Sequence, residues 1–195
     1  MRSIVLASTS PYRRQLLQQL QLPFVTDAPR FQETIMPGVA PELLVKHLAL
    51  GKARSLVDSY EDSLIIGSDQ VFVDPRGMIL GKPKTLDKAL EQLRAMNGKT
   101  HTFFTGISVV DSVSGESLCD FATYQVTLRK LTDNQLRDYL VREKPFDCAG
   151  SFKVEGLGIS LMASMAGEDY SSLIGLPLIK LVDMFEHFNI QVLRP

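Results

Sequence analysis

The chain has 195 residues, of which 45% are hydrophobic and 22% charged, and a formal net charge of −1. That balance is ordinary for a globular protein able to build its core without disulfide or metal staples. It excludes an overall basic field for holding long nucleic acid, so any anion must be met by a local cluster of positive groups.

In chain order, Ser3 to Ala7 is a short apolar run, read as a buried strand. Ser10 then stands as an N-cap before Pro11, and Leu16, Leu17 and Leu20 supply the inner face of a helix. Phe24 to Thr26 reads as a further short strand, and Asp27 to Pro41, with three prolines and Gly38, as a loop. A second helix is expected from about Pro41 to Asp58. Leu64 to Val73 reads as a strand that turns at "DPRG" and returns as a hairpin through Met78 to Leu80. Leu86, Ala89, Leu90 and Leu93 keep helical spacing up to Asn97. His101 to Asp111 and Glu116 to Leu131 are β-rich and joined by "SVSG". A capped amphipathic helix follows over Thr132 to Glu143, then a glycine-punctuated stretch leading into a strand, then a closing helix over Leu176 to Phe188. Strands alternating with helices, followed by a long hairpin, predict an α/β protein with a mixed sheet in one domain, 1–195.

Several negative signals narrow the chemistry. Cys119 and Cys148 are far apart and lack CxxC spacing, so they read as reduced thiols. The three histidines are isolated, and neither HExxH nor a GxSxG elbow occurs. No stretch approaches the roughly 20 apolar residues of a membrane span, and "MRSIVLAS" lacks the h-region of a secretory signal. The expectation is a cytoplasmic protein with no membrane and no nucleic acid polymer as partner.

The positive signals each carry two readings. In "STSPYRR" the free N–H groups of a helix start, the hydroxyls of Ser8, Thr9 and Ser10, and the charges of Arg13 and Arg14 suit a phosphate. Cations at a helix N-terminus oppose its dipole by about 0.3–1 kcal/mol each, which favours an anion nearby over a plain capped helix. Asp69, in "IIGSDQVFV", is either a carboxylate serving a site or an acid in a local turn or exposed strand end; Gly67 leaves room beside it. Lys52 continues the stripe of Leu44 and Leu48, so it either snorkels or reaches an anion. Lys82, between Gly81 and Pro83, and Glu33, in the proline-rich loop, have no local feature separating them from solvated loop residues.

Taken together and in this order, "LASTSPYRRQLL", Glu33, "GKA", "IIGSDQV", "LGKP", "FFTGISV", "CAGSFKVEGLG" and "SSLIGLPL" resemble the Maf family of nucleoside triphosphate pyrophosphatases over nearly the whole chain. The resemblance implies an elongated mixed β-sheet flanked by helices, of the Maf/ITPase-like kind, with two lobes and a central cleft. It also implies a divalent metal (Mg or Mn), a homodimer, and hydrolysis of a nucleoside triphosphate to the monophosphate and pyrophosphate. Carried onto this sequence, Ser8 and Arg13, with Arg14 beside them, match the phosphate-contacting turn. Glu33 and Asp69 match the acidic pair, with either able to hold the metal. Lys52 and Lys82 match the family lysines, and Asp69 matches the proposed base.

Three departures from the commonest family pattern resemble the subgroup acting on 7-methyl-GTP. "GADTVV" is here "GSDQVF", which puts Gln70 in the threonine position; "IQG" is "VEG", with Glu155; and Tyr12 follows the first-turn proline. An aromatic ring at Tyr12 suits a positively charged methylated base, a cation–π gain of about 0.5–2 kcal/mol. A carboxylate at Glu155 accepts from guanine N1–H and the exocyclic amine. Gln70 is expected to complete the base pocket with the strand bending there, since alternation points it away from Asp69. Rival expectations are the same chemistry on dTTP, UTP or another non-canonical nucleotide, and a nucleotide-sensing protein of septum formation that binds without turnover.

Overall fold

The computed structural model describes residues 2–33 and 38–193, so residues 34–37 of the expected proline-rich loop lie outside the described residues. The strands are β1 (Ser3–Ala7), β2 (Val25–Asp27), β3 (Ser63–Val73), β4 (Ile79–Leu80), β5 (Thr100–Asp111), β6 (Ser117–Leu128) and β7 (Met162–Gly167). The helices are α1 (Pro11–Gln18), α2 (Pro41–Arg54), α3 (Leu86–Met96), α4 (Asp133–Glu143), α5 (Tyr170–Ile174) and α6 (Leu178–His187). The strands form one sheet in the order β2-β1-β3-β5-β6-β7, with β4 paired to β3. β1 runs parallel to both β2 and β3, with Val5 opposite Val25 and Ile65, while β4 and β7 pair antiparallel with β3 and β6. This is the mixed-sheet α/β fold that the pattern of elements implied.

Local chemistry explains most boundaries. Pro11 occupies the first position of α1 and the Ser10 side chain caps it, accepting from Arg13 N. α4 opens on a full capping box between Thr132 and Gln135. α2 ends at Arg54 rather than at Asp58. There the Ser55 hydroxyl donates to the Lys52 carbonyl at 2.7 Å and accepts from Arg30 N at 3.0 Å, and a separate 3-10 turn covers Val57–Ser59. The closing helix is shorter than expected and is preceded by a separate helix, α5. Gly175, at φ +126°, and Pro177 divide the two. The strand expected at Phe24–Thr26 sits one residue later, and the second long β run is confined to Ser117–Leu128.

The chain divides into two compact units. The first holds residues 1–70, 104–122 and 169–195, and the second 71–103 and 123–168; β3, β5 and β6 contribute residues to both. In the first unit the sheet is covered on both faces. Ile4, Leu6, Leu64 and Ile66 pack with Leu16 and Leu17 of α1 and Leu181 and Phe185 of α6. Val5, Ala7 and Ile65, one residue out of step, pack with Ala53 of α2 and with Leu56. The second unit has an aromatic centre, with Phe72 against His101, Phe103 and Phe152. No helix of the described residues is long and apolar enough to cross a membrane.

Candidate active site

β3 crosses α2 closely. A Cβ at Gly67 would overlap the Ala49 carbonyl oxygen, so only glycine allows the approach. Two residues further on the same face, Asp69 therefore meets the helix near its end, where Lys52 continues the buried stripe of Leu44 and Leu48. The Lys52 Nζ donates to Asp69 Oδ1 at 2.5 Å, and both residues are 8% exposed. Lys52 is thus the deeper of its two alternatives, an ammonium engaged inside the fold.

The same ammonium lies 2.7 Å from Glu33 Oε1. Glu33 reaches it because Phe31 lies against Gly51, at a position where any Cβ would overlap the ring. "GKA" therefore works as a unit: Gly51 seats the incoming loop, Lys52 gathers two carboxylates, and Ala53 lies buried beneath β3.

Arg13 adds a second cation. Burial holds its guanidinium below its ordinary value, against the opposing fields of Asp69 and Glu33. Those fields place Arg13 in electrostatic reach of both acids. Its Nε donates to the Gly175 carbonyl at 2.8 Å. Ser8, buried just past the end of β1, accepts from Ser10 N at 3.1 Å. Because β1 and β3 are parallel, with Leu6 opposite Ile66, Ser8 and the start of α1 follow the C-terminal end of β1, and Asp69 lies within β3 three residues beyond its last pairing with β1. In α/β sheets ligands bind at such an edge. Arg14 is exposed and Tyr12 half-buried on the same helix.

β3 continues unbroken to Val73, so the bend expected at Gln70 does not occur. Gln70 instead faces the opposite side from Asp69, where its Nε2 donates towards Thr105 Oγ1 (2.9 Å), the Ser172 carbonyl (2.9 Å) and the Leu173 carbonyl (3.1 Å). Lys82 and Glu155 belong to the second unit and are exposed. Lys82 follows β4, and its field adds to the Lys84 hydrogen bond that holds the Asp147 carboxyl low. Glu155 lies in the turn after Val154, and its charge is felt at Tyr139 and Cys148.

Two contacts of the site carry no obvious sequence signal. Ser68 sits in an apolar strand, where a small hydroxyl leaves the pattern unchanged, and the carbonyl of Gly175 is a backbone group. The available clue was that Ser68 and Gln70 share a strand face. Among the described residues no group of three or more His, Cys, Asp or Glu side chains forms a metal cluster.

A family model described as Maf-like protein matches residues 3–188. The chain belongs to the Maf family. Its relatives include a protein of Syntrophotalea carbinolica named 7-methyl-GTP pyrophosphatase, 64% identical over 99% of this chain and 98% of its own length. Another of that name, from Pseudomonas syringae pv. tomato, is 50% identical over 94% of this chain and 95% of its own. A solved structure, the Staphylococcus aureus Ham1 protein, is 13% identical with a TM-score of 0.46, covering 65% of this chain and 72% of that one; so distant a likeness carries no functional weight. This Maf-family chain is a nucleotide pyrophosphatase, a hydrolase acting on acid anhydrides.

Proposed function

We propose that the protein hydrolyses 7-methyl-GTP to 7-methyl-GMP and pyrophosphate. The observation that carries the reading is the Lys52 ammonium held between Asp69 and Glu33, with Arg13 in the field of both acids. The near full-length relatives named 7-methyl-GTP pyrophosphatase support the choice of substrate.

Arg13, with Ser8 and the free N–H groups at the start of α1, binds the phosphates, and Arg14 adds charge at the rim. Lys52 stabilises the charge that gathers on the departing pyrophosphate, and the family resemblance gives Lys82 the same part. Lys52 holds one oxygen of Asp69, and the other oxygen accepts a proton from water. The water oxygen attacks the α-phosphorus. The bond from that phosphorus to the bridging oxygen breaks, and pyrophosphate leaves with the electron pair.

Two carboxylates fit a hard divalent ion of the Mg²⁺ or Mn²⁺ kind, which is commonly held by one or two carboxylates together with substrate phosphates. Asp69 and Glu33 would hold it, and when bound it would neutralise phosphate charge. Tyr12 would stack on the methylated base and Glu155 would accept from the guanine edge, while Gln70 acts on the substrate through the segment it holds. The family resemblance supports residues 1–195 working as one domain, in the cytoplasm and as a homodimer.

The test is release of pyrophosphate rather than orthophosphate from 7-methyl-GTP and GTP, alongside dTTP and UTP. Preference for 7-methyl-GTP is expected, and a clear dTTP or UTP preference overturns the substrate. Asp69→Asn should abolish hydrolysis and keep the fold, since an asparagine oxygen still accepts from Lys52, at a cost in stability because the buried ammonium loses that carboxylate. Persisting activity removes Asp69 as the base, and binding without turnover in the unaltered protein favours a nucleotide sensor.

A further inference from the structure

The reverse face of β3 carries a second set of polar contacts that the hydrolytic residues do not use. Ser68, fully buried, places its hydroxyl 2.8 Å from the Gly106 carbonyl and 2.9 Å from the Gly175 carbonyl. Gln70, on the same face, spends its amide nitrogen on Thr105 and on the carbonyls of Ser172 and Leu173, and the Thr105 hydroxyl donates to the Ser172 carbonyl at 2.8 Å. All of these bonds end on one short segment, Ser172 to Gly175, or on the β5 residues beside it. The Gly175 carbonyl is shared: it accepts from Ser68 on one side and from Arg13 Nε on the other. An Nε-anchored guanidinium keeps its two terminal nitrogens for a phosphate, in a fixed direction.

We propose that Ser68 and Gln70 are positioning residues, which hold the Ser172–Gly175 turn from behind β3 and, through the Gly175 carbonyl, aim Arg13 at the substrate's phosphates. The inference rests on the nucleotide reading of the site. It gives Gln70 an effect on every nucleotide rather than on the choice of base. Asp69 and Gln70 then serve one reaction from opposite faces of a strand: the first acts on water, the second sets a cation.

The test uses Ser68→Ala, Gln70→Met and Arg13→Lys, and reads both kcat/KM on 7-methyl-GTP and GTP and the dissociation constant for inorganic pyrophosphate. Arg13→Lys keeps a charge, and therefore measurable affinity, but has no Nε–H for Gly175. Misaiming one phosphate contact should lower kcat/KM by about 5- to 50-fold, to within about twofold equally on both nucleotides because the phosphates are common to them. Pyrophosphate affinity should fall in Ser68→Ala, yet adding Ser68→Ala to Arg13→Lys should change it by less than about twofold, since coupled residues are non-additive. An additive pair overturns the relay, and so does a Gln70→Met enzyme that keeps its rate but changes its preferred base. If Gln70→Met fails to fold, the Ser68→Ala pair decides alone. If the unaltered protein cleaves neither nucleotide, the nucleotide reading fails while the pyrophosphate measurements still judge the relay.

Discussion

Replacing Lys52 by methionine removes the ammonium from both carboxylates and keeps the apolar stem. The two pairs it breaks are unequal. The Lys52 side chain is 9% exposed and that of Asp69 11%, so this pair is buried, whereas Glu33 is 53% exposed. Losing one partner of a buried pair costs about 3–5 kcal/mol, because the remaining charge keeps its desolvation penalty. An exposed pair is worth at most about 1 kcal/mol. For a chain of this length each kcal/mol moves Tm by about 2–4 °C. Lys52→Met should therefore melt about 6–20 °C lower and Glu33→Gln less than about 4 °C lower, read by circular dichroism and by urea midpoints at neutral pH. The double variant Lys52→Met/Asp69→Asn, with neither charge buried, should recover much of the loss. Equal destabilisation by Lys52→Met and Glu33→Gln, or a double variant as unstable as the two single losses summed, would refute a buried, mutually dependent pair.

Three further outcomes concern His101, Gly67 and Gly77. His101 is buried against Phe72, at a centroid distance of 5.3 Å, and its Nδ1 has no hydrogen-bond partner among the described residues. Burial lowers its pKa, against the raising effects of a hydrogen bond to the Lys99 backbone and of Asp74 and alongside the lowering field of Lys99. The unfolded chain therefore takes up the proton first as pH falls. Stability from this group is complete above the ordinary histidine value of about 6.5 and declines below it, so His101→Phe should flatten the fall in urea midpoint between about pH 7 and 5. Gly67→Ala places a methyl on the Ala49 carbonyl and should cost more than about 3 kcal/mol; Gly77→Ala, at φ +82° with open space around it, should cost about 1 kcal/mol in the same melts.

Much of this architecture was legible in the sequence because it depends on local chemistry. Ser10 and Pro11 fix the start of α1, and Leu86, Ala89, Leu90 and Leu93 show the buried face of α3. Boundaries set by tertiary contacts were not legible: α2 stops where Ser55 bonds back to Lys52, and α5 is a five-residue helix with too few turns to show a period. At the site, Asp69 and Lys52 each had two readings until a close crossing at Gly67 joined them. Glu33 had no local mark, because its link to Lys52 depends on Phe31 resting on Gly51 some twenty residues later in the chain. Strict alternation along β3 was read correctly, but the bend expected at Gln70 came from requiring that residue to share a pocket with Asp69.

That alternation makes the segment intolerant of changes in length. Inserting or deleting one residue between Gly67 and Asp69 would exchange the two sides, turning the acid towards the Ser172–Gly175 segment and the amide towards α2. The turn at Asp74 to Gly77, exposed from Pro75 onward and closed by its own hydrogen bonds, should absorb an extra residue with little consequence for turnover. Variation in length is therefore expected to collect at that hairpin tip, while the four residues Gly67 to Gln70 change only by replacement.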